Sequence, residues 1–340
     1  MLRANYGRFN QGVLTGELDP ISPGNTPTTT MAYEASSGGY TRFVSMVDPS
    51  VVSLDPDTRT PHTDEFSLAL DREITRHVRA SAAYIRKRGS DFVGWTDVGG
   101  LYREETRTLA DGTVLPVFAL TNSTRDRRFF LTNPDTLFLH YDGLVLAFDK
   151  RMSKGWQASG SYTYSKAFGL QVMSNGAADA PQFSTIARPD SLTFGQDPND
   201  LTNAAGRLPN DRPHIFRAAG VAHVPWQAVL VAANLQYFSG KPWAATTQVA
   251  LPQGNQRIML EPRGSRRLSS QMLLDLRISK TVQVGNAGKV DVIFDVLNLI
   301  NDTGEEALAS DNLFSTTFGR HTQFMDPRRV MLGVRLNLGR

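Results

Sequence analysis

A strict alternation of residue types near the C-terminus constrains this chain more than any other feature of its sequence. Apolar side chains occupy every second position of two segments, as Val290, Val292, Phe294 and Val296 in the first and as Val330, Leu332, Val334, Leu336 and Leu338 in the second. A period of two places such residues on one face of a β-strand and their neighbours on the other. The apolar face either packs on a core, as in a soluble sandwich, or contacts lipid, as in a membrane barrel with a wet polar lumen. The rest of the chain has to distinguish these alternatives.

The composition excludes several classes of protein but leaves a barrel open. The chain has 340 residues and no run that approaches the roughly 20 apolar residues of a transmembrane helix. Its 36 basic and 33 acidic residues are too evenly balanced to indicate nucleic-acid binding. The absence of cysteine excludes disulfides and thiolate chemistry. A membrane barrel has an ordinary composition because only alternate strand residues face lipid.

Alternating segments recur along the whole chain, joined by long and short connections in turn. We predict strands over residues 1–9, 62–74, 78–92, 144–148, 156–165, 212–224, 229–237, 272–279, 290–297 and 330–338. One long connection is expected to contain a hairpin around residues 113–130. Long loops at one end and tight turns at the other are typical of outer-membrane barrels, whose extracellular loops are long and periplasmic turns short. The sequence therefore predicts an all-β, antiparallel transmembrane β-barrel portion of about ten strands.

The same alternation assigns side chains to the two faces of the barrel wall. The polar residues expected to face the lumen are Gln157, Ser159, Ser161, Thr163, Asp275, Arg277, Asp291 and Asp295. The residues expected to face lipid, or to form its aromatic girdle, are Trp156, Tyr162, Tyr164, Tyr237, Phe294 and Leu338. The strand from Trp156 to Tyr164 spans roughly 20 Å of membrane depth, close to the roughly 25 Å apolar band between girdles.

Six short motifs stand in a recognisable order along the chain. They are LDRE at residues 70–73, YTYSKA at 162–167, DRPH at 211–214, SGKP at 239–242, NLIN at 298–301 and DPRR at 326–329. In order and spacing they resemble the barrel of TonB-dependent outer-membrane receptors, and the pattern is nearest to the Oar-like members. The resemblance implies that residues 1–340 form a partial domain of a larger plugged barrel of about 22 strands, without the plug and the signal peptide.

The resemblance also implies a function and a set of partners. The expected function is uptake of a large scarce nutrient, such as a siderophore, glycan or peptide, across the outer membrane of a Gram-negative bacterium. The expected partners are outer-membrane lipid, the barrel-assembly machinery, the nutrient, and the plug and TonB-type energy coupler of a full-length receptor. Asp275, Arg277, Asp291 and Asp295 are expected either to pair with one another or to hold the plug. Barrels usually end on an aromatic residue, whereas here the last apolar residue is Leu338.

An alternative function and a weak metal hypothesis remain open. The alternative is a passive structural or adhesive barrel without transport. Asp197, Asp200 and Asp211, with Asn199 and Asn210, could bind calcium or could form Asx-turns. The six histidines lack metal-ligand spacing, and no phosphate-binding loop or nucleophile elbow is present. We therefore expect no catalytic residue and no cofactor, and the chain is not predicted to be an enzyme.

Overall fold

The structure is a computed structural model. It describes residues 1–12, 21–22, 24, 26, 28–47, 49–170, 197–225, 228–284 and 288–337. Among these residues, no helix is both long enough and apolar enough to cross a membrane.

Ten long strands form one antiparallel sheet in which every strand pairs with its neighbours in the chain. They are β1 (Leu2–Asn10), β2 (His62–Thr75), β3 (Val78–Ser90), β4 (Phe138–Ser153), β5 (Trp156–Leu170), β6 (His214–Val224), β7 (Val229–Phe238), β8 (Gln271–Val284), β9 (Gly288–Leu297) and β10 (Arg329–Asn337). A two-residue strand, Gly206–Arg207, adds to the end of β5. The long connections all lie at one end of the sheet, here called the loop end, and the short ones lie at the opposite turn end.

The long connections contain smaller sheets of their own. These are the hairpins Thr28–Glu34 with Gly39–Val47, Tyr102–Thr108 with Val114–Leu120, Thr246–Leu251 with Gly254–Met259 and Glu305–Leu308 with His321–Phe324, the pair Pro242–Trp243 with Arg266–Arg267, and the three-stranded sheet of Val52–Leu54, Phe129–Thr132 and Gly94–Asp97. The loop end is therefore built from ordered secondary structure in the parts that the structure describes.

The predicted all-β fold and the predicted strands are confirmed, whereas the predicted hairpin at residues 113–130 is wrong. The chain instead pairs Tyr102–Thr108 with Val114–Leu120. The reversal occurs at Asp111 and Gly112, where Gly112 has φ +84° and the Asp111 carboxylate accepts the backbone N–H two residues further on. An Asp-Gly pair favours such a turn because glycine adopts positive φ at little cost. The strand Tyr102–Thr108 carries mostly charged residues, so its sequence shows no apolar alternation.

The strand register separates the side chains into two faces. Cross-strand partners in an antiparallel sheet lie on the same side, so each face can be followed from strand to strand. Phe294 lies opposite Leu332 on the apolar face, and Arg277 lies opposite Asp295 on the polar face. A slip of one residue would exchange the faces of a whole strand. We use "apolar face" and "polar face" in this sense below.

Most of the buried apolar residues lie among the connections, and the long strands contribute only Leu170 and Val296 among the described residues. In one cluster the two hairpins 102–120 and 246–259 pack together. Its buried members are Leu115, Val117, Ala119, Val249, Leu251 and Ile258. A second cluster gathers Val52, Val93, Trp95, Phe129 and Leu131. Hydrophobic burial therefore fixes the loop end, while the apolar residues of the long strands remain largely exposed to their surroundings.

Replacement of Val117 by alanine should loosen the packing between these two hairpins. Val117 is fully buried whereas Val114, on the same strand, is 62% exposed. The Val117→Ala substitution removes buried methyl groups and leaves a cavity, so we expect a loss of about 1–3 kcal/mol in the free energy of opening. Hydrogen exchange of the hairpin amides measures this quantity. The matched change Val114→Ala should leave exchange unchanged, and equal effects at both positions would contradict the proposed packing.

Candidate functional site

The predicted site residues separate cleanly between the two faces of the sheet. The polar face carries Gln157, Ser159, Ser161, Thr163, Asp275, Arg277, Asp291 and Asp295. The apolar face carries Trp156, Tyr162, Tyr164, Tyr237 and Phe294. Leu338 lies outside the described residues. The shared faces follow from the register, while their assignment to lumen and lipid remains a prediction.

Of the four charged residues considered on the polar face, Arg277 and Asp295 pair with each other, whereas Asp275 and Asp291 have other partners. Arg277 forms a bidentate ion pair with Asp295, with Nε–Oδ1 2.6 Å and Nη2–Oδ2 2.8 Å. Asp275 instead accepts the backbone N–H of Asn298 at 2.9 Å. Asp291 accepts the Thr281 hydroxyl at 2.7 Å and an Asn337 amide N–H at 2.9 Å. These carboxylates therefore cross-link β8, β9 and β10 rather than forming one cluster.

Sequence reasoning missed a second ionic cross-link on the polar face. The carboxylate of Asp71 accepts a hydrogen bond from Arg3 on β1 and another from Arg79 on β3, the latter at 2.6 Å. Asp71 is 9% exposed because the two guanidinium groups cover it. The LDRE motif contains this aspartate, but a motif alone does not identify partners on neighbouring strands. All three residues share the face of Ser161.

Adjoining cavities follow the polar face from the loop end towards the turn end. The first has a volume of about 750 Å³ and is lined at the loop end by Arg212, Arg217, Phe238, Gln271, Phe324 and Arg329. The second, of about 610 Å³, shares Asp275 and Leu297 with the first and extends to Arg151 beside a short turn. The guanidinium groups of Arg212 and Arg217 lie 5.3 and 5.4 Å from the centre of the Phe238 ring. The polar face is thus a continuous groove with a cationic and aromatic upper end.

The NLIN and DPRR motifs contact each other and close the last long connection. Asn298 and Asn301 both have positive φ, of 50° and 56°. Asn298 is buried, and its side-chain amide donates to the Asp302 and Asp326 carbonyl oxygens at 2.9 Å each. The side-chain oxygen of Asn301 accepts the N–H of Arg328 at 2.9 Å. Asparagine tolerates the left-handed conformation and also has the polar groups that these backbone atoms require.

The DRPH and SGKP motifs meet through one buried carboxylate. Asp211 is 2% exposed and accepts hydrogen bonds from Arg267 Nη2 at 2.5 Å and from the Ala167 N–H at 2.7 Å. Arg267 also donates to the Gly240 carbonyl oxygen at 3.0 Å. A Cβ atom at Gly240 would lie 1.7 Å from the Leu268 carbonyl oxygen, so no larger residue fits there. Asp211 therefore joins the ends of β5 and β6 to the connection that follows β7.

Asp197 and Asn199 join the third long connection to two others. The Asp197 carboxylate caps the short helical turn Pro198–Leu201 and accepts a Gln253 amide N–H at 3.0 Å. Asn199 exchanges two hydrogen bonds with the backbone of Phe118, each of 2.8 Å. Burial raises the pKa of the Asp197 carboxyl above its ordinary value. These polar groups are buried and satisfied by each other, as buried polar groups must be.

The residues considered for calcium do not converge on one point. Asp197 acts as a helical cap, whereas Asp211 pairs with arginine. Within the described part of the chain, no group of three or more His, Asp or Glu side chains is arranged to hold a metal ion. The local geometry around Asp197 corresponds to the Asx-turn alternative.

Asp97 organises the second long connection. Its side chain is 1% exposed and accepts the Arg127 Nε–H at 2.7 Å, the Tyr102 hydroxyl at 2.6 Å and the Gly100 N–H at 2.9 Å. Burial alone would raise the pKa of Asp97, but the hydrogen bonds from Tyr102 and Arg127 and the backbone hold the pKa below its ordinary value. Burial and the hydrogen bond to Asp97 raise the pKa of Tyr102.

Removal of the Asp97 carboxylate should open this connection. The Asp97→Ala substitution leaves Arg127 buried without its ion-pair partner, which typically costs about 3–5 kcal/mol. Because the folded-state pKa is lowered, the stabilisation is present above the unfolded value of 3.8 and is lost as the pH falls through the folded-state pKa. Hydrogen exchange of the Gly94–Asp97 amides should be faster in the Asp97→Ala variant, and in the unchanged protein the protection should decrease as the pH falls. The exposed Glu104, changed to alanine, should alter neither.

Comparison with known proteins identifies the family. The family model described as outer membrane beta barrel domain matches residues 2–238. The chain is 24% identical over 305 residues to the TonB-dependent transporter Oar of Myxococcus xanthus, a match that covers 82% of this chain and 25% of that protein. The Oar-like resemblance of the motifs is therefore confirmed.

A solved structure agrees in fold. The outer membrane transporter YddB from Escherichia coli is similar with a TM-score of 0.51 and 14% sequence identity, over 98% of this chain and 38% of YddB. The chain thus spans about a quarter of Oar and about two fifths of YddB. The family match also confirms the predicted outer-membrane location and a non-enzymatic class of protein. The chain belongs to the outer-membrane β-barrel domain family.

Proposed function

We propose that this chain is the C-terminal barrel part of a TonB-dependent receptor that imports a large scarce nutrient, such as a siderophore, glycan or peptide. Residues 1–340 form part of a larger barrel in this proposal, and the remaining strands and a plug belong to the full-length protein. The nutrient enters at the loop end and passes along the polar face. A TonB-type coupler supplies the energy, as the relationship to the transporter Oar suggests.

The groove along the polar face is the observation that carries this proposal. Its two cavities share residues and extend from Arg329 at the loop end to Arg151 at the turn end. A passive structural wall requires no such continuous polar space. Large aqueous lumens filled by a plug are characteristic of the widest barrels, in which the polar faces of the strands line the pathway. Arg277, held by the largely covered Asp295 but itself 52% exposed, provides a charged group on this face that a plug surface can contact.

The exposure of the opposite face supports a lipid environment. Large apolar side chains on it remain accessible, with Leu146 43%, Phe294 40% and Leu332 74% exposed. Soluble monomers rarely leave contiguous apolar patches of more than a few hundred Å² in water. Trp156 and Tyr164 stand near opposite ends of this face, where aromatic girdles occur in membrane barrels.

The assignment of the faces can be tested with adjacent residues of β5. The chain has no cysteine, so each introduced thiol is unique. We expect the thiol of Ser161→Cys to react with a water-soluble maleimide in the membrane-embedded protein, because position 161 faces the aqueous groove. The thiol of Tyr162→Cys should react only after solubilisation and unfolding. Equal reactivity at both positions in the membrane would contradict the lipid assignment.

Uptake measurements distinguish import from a passive role. Cells that produce the full-length protein should grow better than cells lacking it on one of three limiting nutrients: a ferric chelate, a maltodextrin or a peptide digest. Because import requires energy coupling, this advantage should vanish when the TonB-type coupler is deleted. An advantage that is independent of the coupler, or a loss of surface adhesion alone, would favour the passive or adhesive barrel.

A further inference from the structure

The apolar face changes character in successive rows towards the loop end of β3, β4 and β5. The rows, each of three cross-strand partners, are Ala82, Leu146 and Tyr162; then Tyr84, Leu144 and Tyr164; then Arg86, Asp142 and Lys166; and then Arg88, His140 and Phe168. The first two rows are thus apolar or aromatic, the third is fully charged, and the fourth combines Arg88 with His140 and Phe168, all on the same face. We call Arg86, Arg88, Lys166 and Asp142 the outward basic patch.

The outward basic patch has an excess of positive charge. The Asp142 carboxylate accepts the Tyr84 hydroxyl at 2.7 Å and Arg88 Nη2 at 2.8 Å, whereas Arg86 Nε lies 4.0 Å away. Three cations therefore share one carboxylate. The side chain of Arg86 is 54% exposed, and Lys166 is exposed as well.

Neighbouring groups do not cancel this charge. On the same face, Arg8 and Asp64 of the adjoining strands form their own bidentate pair, with both contacts at 2.7 Å. Lys87 pairs with Glu65 on the opposite, polar face. The charge excess therefore stays with the outward basic patch.

The position of the patch corresponds to the headgroup level of a membrane. Two residues along a strand advance about 6.6 Å, or about 5 Å in depth for a strand tilted by about 40°. The charged rows thus begin about 5 Å beyond the tyrosines, and tyrosine belts mark the border between hydrocarbon and headgroups. Neighbouring strands are about 4.8 Å apart, so the Cα atoms of Arg86 and Lys166 lie about 10 Å apart. Two side chains of this length can contact one phosphate between them.

An apolar groove lies below the patch on the same face. Its volume is about 670 Å³; Leu146, Phe148 and Tyr162 are among its walls, and Gly160 and Gly220 belong to its floor. The groove ends at Tyr162, and a single row, Tyr84, Leu144 and Tyr164, separates it from the patch on the same face. A ligand that matches both has a phosphate at one end and an alkyl chain at the other.

From this arrangement of a charged patch above an apolar groove we propose that β3, β4 and β5 form a binding site for a lipid with a phosphate-bearing headgroup in the outer leaflet. The phosphate contacts Arg86 and Lys166, and an acyl chain occupies the groove beside Leu146. Asp142 holds Arg88 and limits the net charge of the patch. The inference rests on the membrane orientation proposed above, which the thiol-labelling experiment tests independently.

Lipid retention by the detergent-solubilised full-length protein tests the site. Native mass spectrometry with phosphatidic acid, which has a phosphomonoester headgroup, should detect retained lipid, with phosphatidylcholine retained less. A surface cation contributes about fivefold to attraction of an anionic lipid, so Arg86→Gln with Lys166→Gln should weaken retention by about 25-fold. The control pair Arg125→Gln and Arg320→Gln removes the same charge from exposed connections and should have no effect.

A gain of binding provides a test that misfolding cannot imitate. Asp142→Asn removes the only carboxylate of the patch and should strengthen retention of phosphatidic acid. Inorganic phosphate should fail to displace the lipid, because it cannot occupy the groove. The proposal would be overturned by unchanged retention in the double variant or by an equal loss in the control pair. Displacement of the lipid by inorganic phosphate at a comparable concentration would also overturn it. Each of these outcomes counts against the lipid site even where thiol labelling supports the membrane orientation.

Discussion

The hydrogen-bond register of the ten-stranded sheet is the constraint on which the rest of this structure depends. Apolar residues lie opposite apolar ones along much of the sheet, as with Leu2 and Leu70 at one edge and Phe294 and Leu332 near the other, while charged partners such as Lys280 opposite Val292 occur towards the strand ends. The side-chain period in a strand is two, so a shift of one residue in any pair would place charged residues among apolar ones. The ion pairs Arg3–Asp71 and Arg277–Asp295 add a specific penalty to such a shift, because each joins residues on different strands.

The loop end fixes this register by contacts between distant parts of the chain. Asp211 binds Arg267 across 56 positions of sequence, and Asn298 binds the Asp326 carbonyl across 28. Both contacts lie where a long connection leaves or rejoins the sheet. A buried carboxylate or amide tolerates few alternative partners, since an unsatisfied polar group costs more than the net gain from a satisfied one.

Much of the ten-stranded sheet could be predicted from the sequence, whereas little of the structure at the loop end could. Alternation of the kind seen in β9 and β10 recurs along the chain and predicts the strands, the two faces of each strand and the succession of long and short connections. It can be read from the sequence because a pattern of period two depends only on neighbouring residues. The contacts of Asp97 with Arg127, and of Asn199 with Phe118, have no periodic signal and join residues 30 and 81 positions apart. The sequence does not reveal the hairpin of Tyr102–Thr108 and Val114–Leu120, because charged residues on both faces of its first strand hide the alternation. The short motifs identified important positions, such as Asp71, without identifying what those positions bind.

Two different environments stabilise the two parts of this chain. The long strands have few buried apolar side chains, so their apolar face requires hydrocarbon to replace the missing core. The loop end has Val117 and Ile258 fully buried and needs only water around it, as an ordinary globular unit does. In the proposed orientation, the rows of Tyr84 and Arg86 lie where these environments meet, and there the surroundings of the sheet change from hydrocarbon to water within two residues. In that orientation, side-chain chemistry on strands of fixed register sets the depth of the sheet in the membrane, and with it the height of the polar-face groove relative to the lipid.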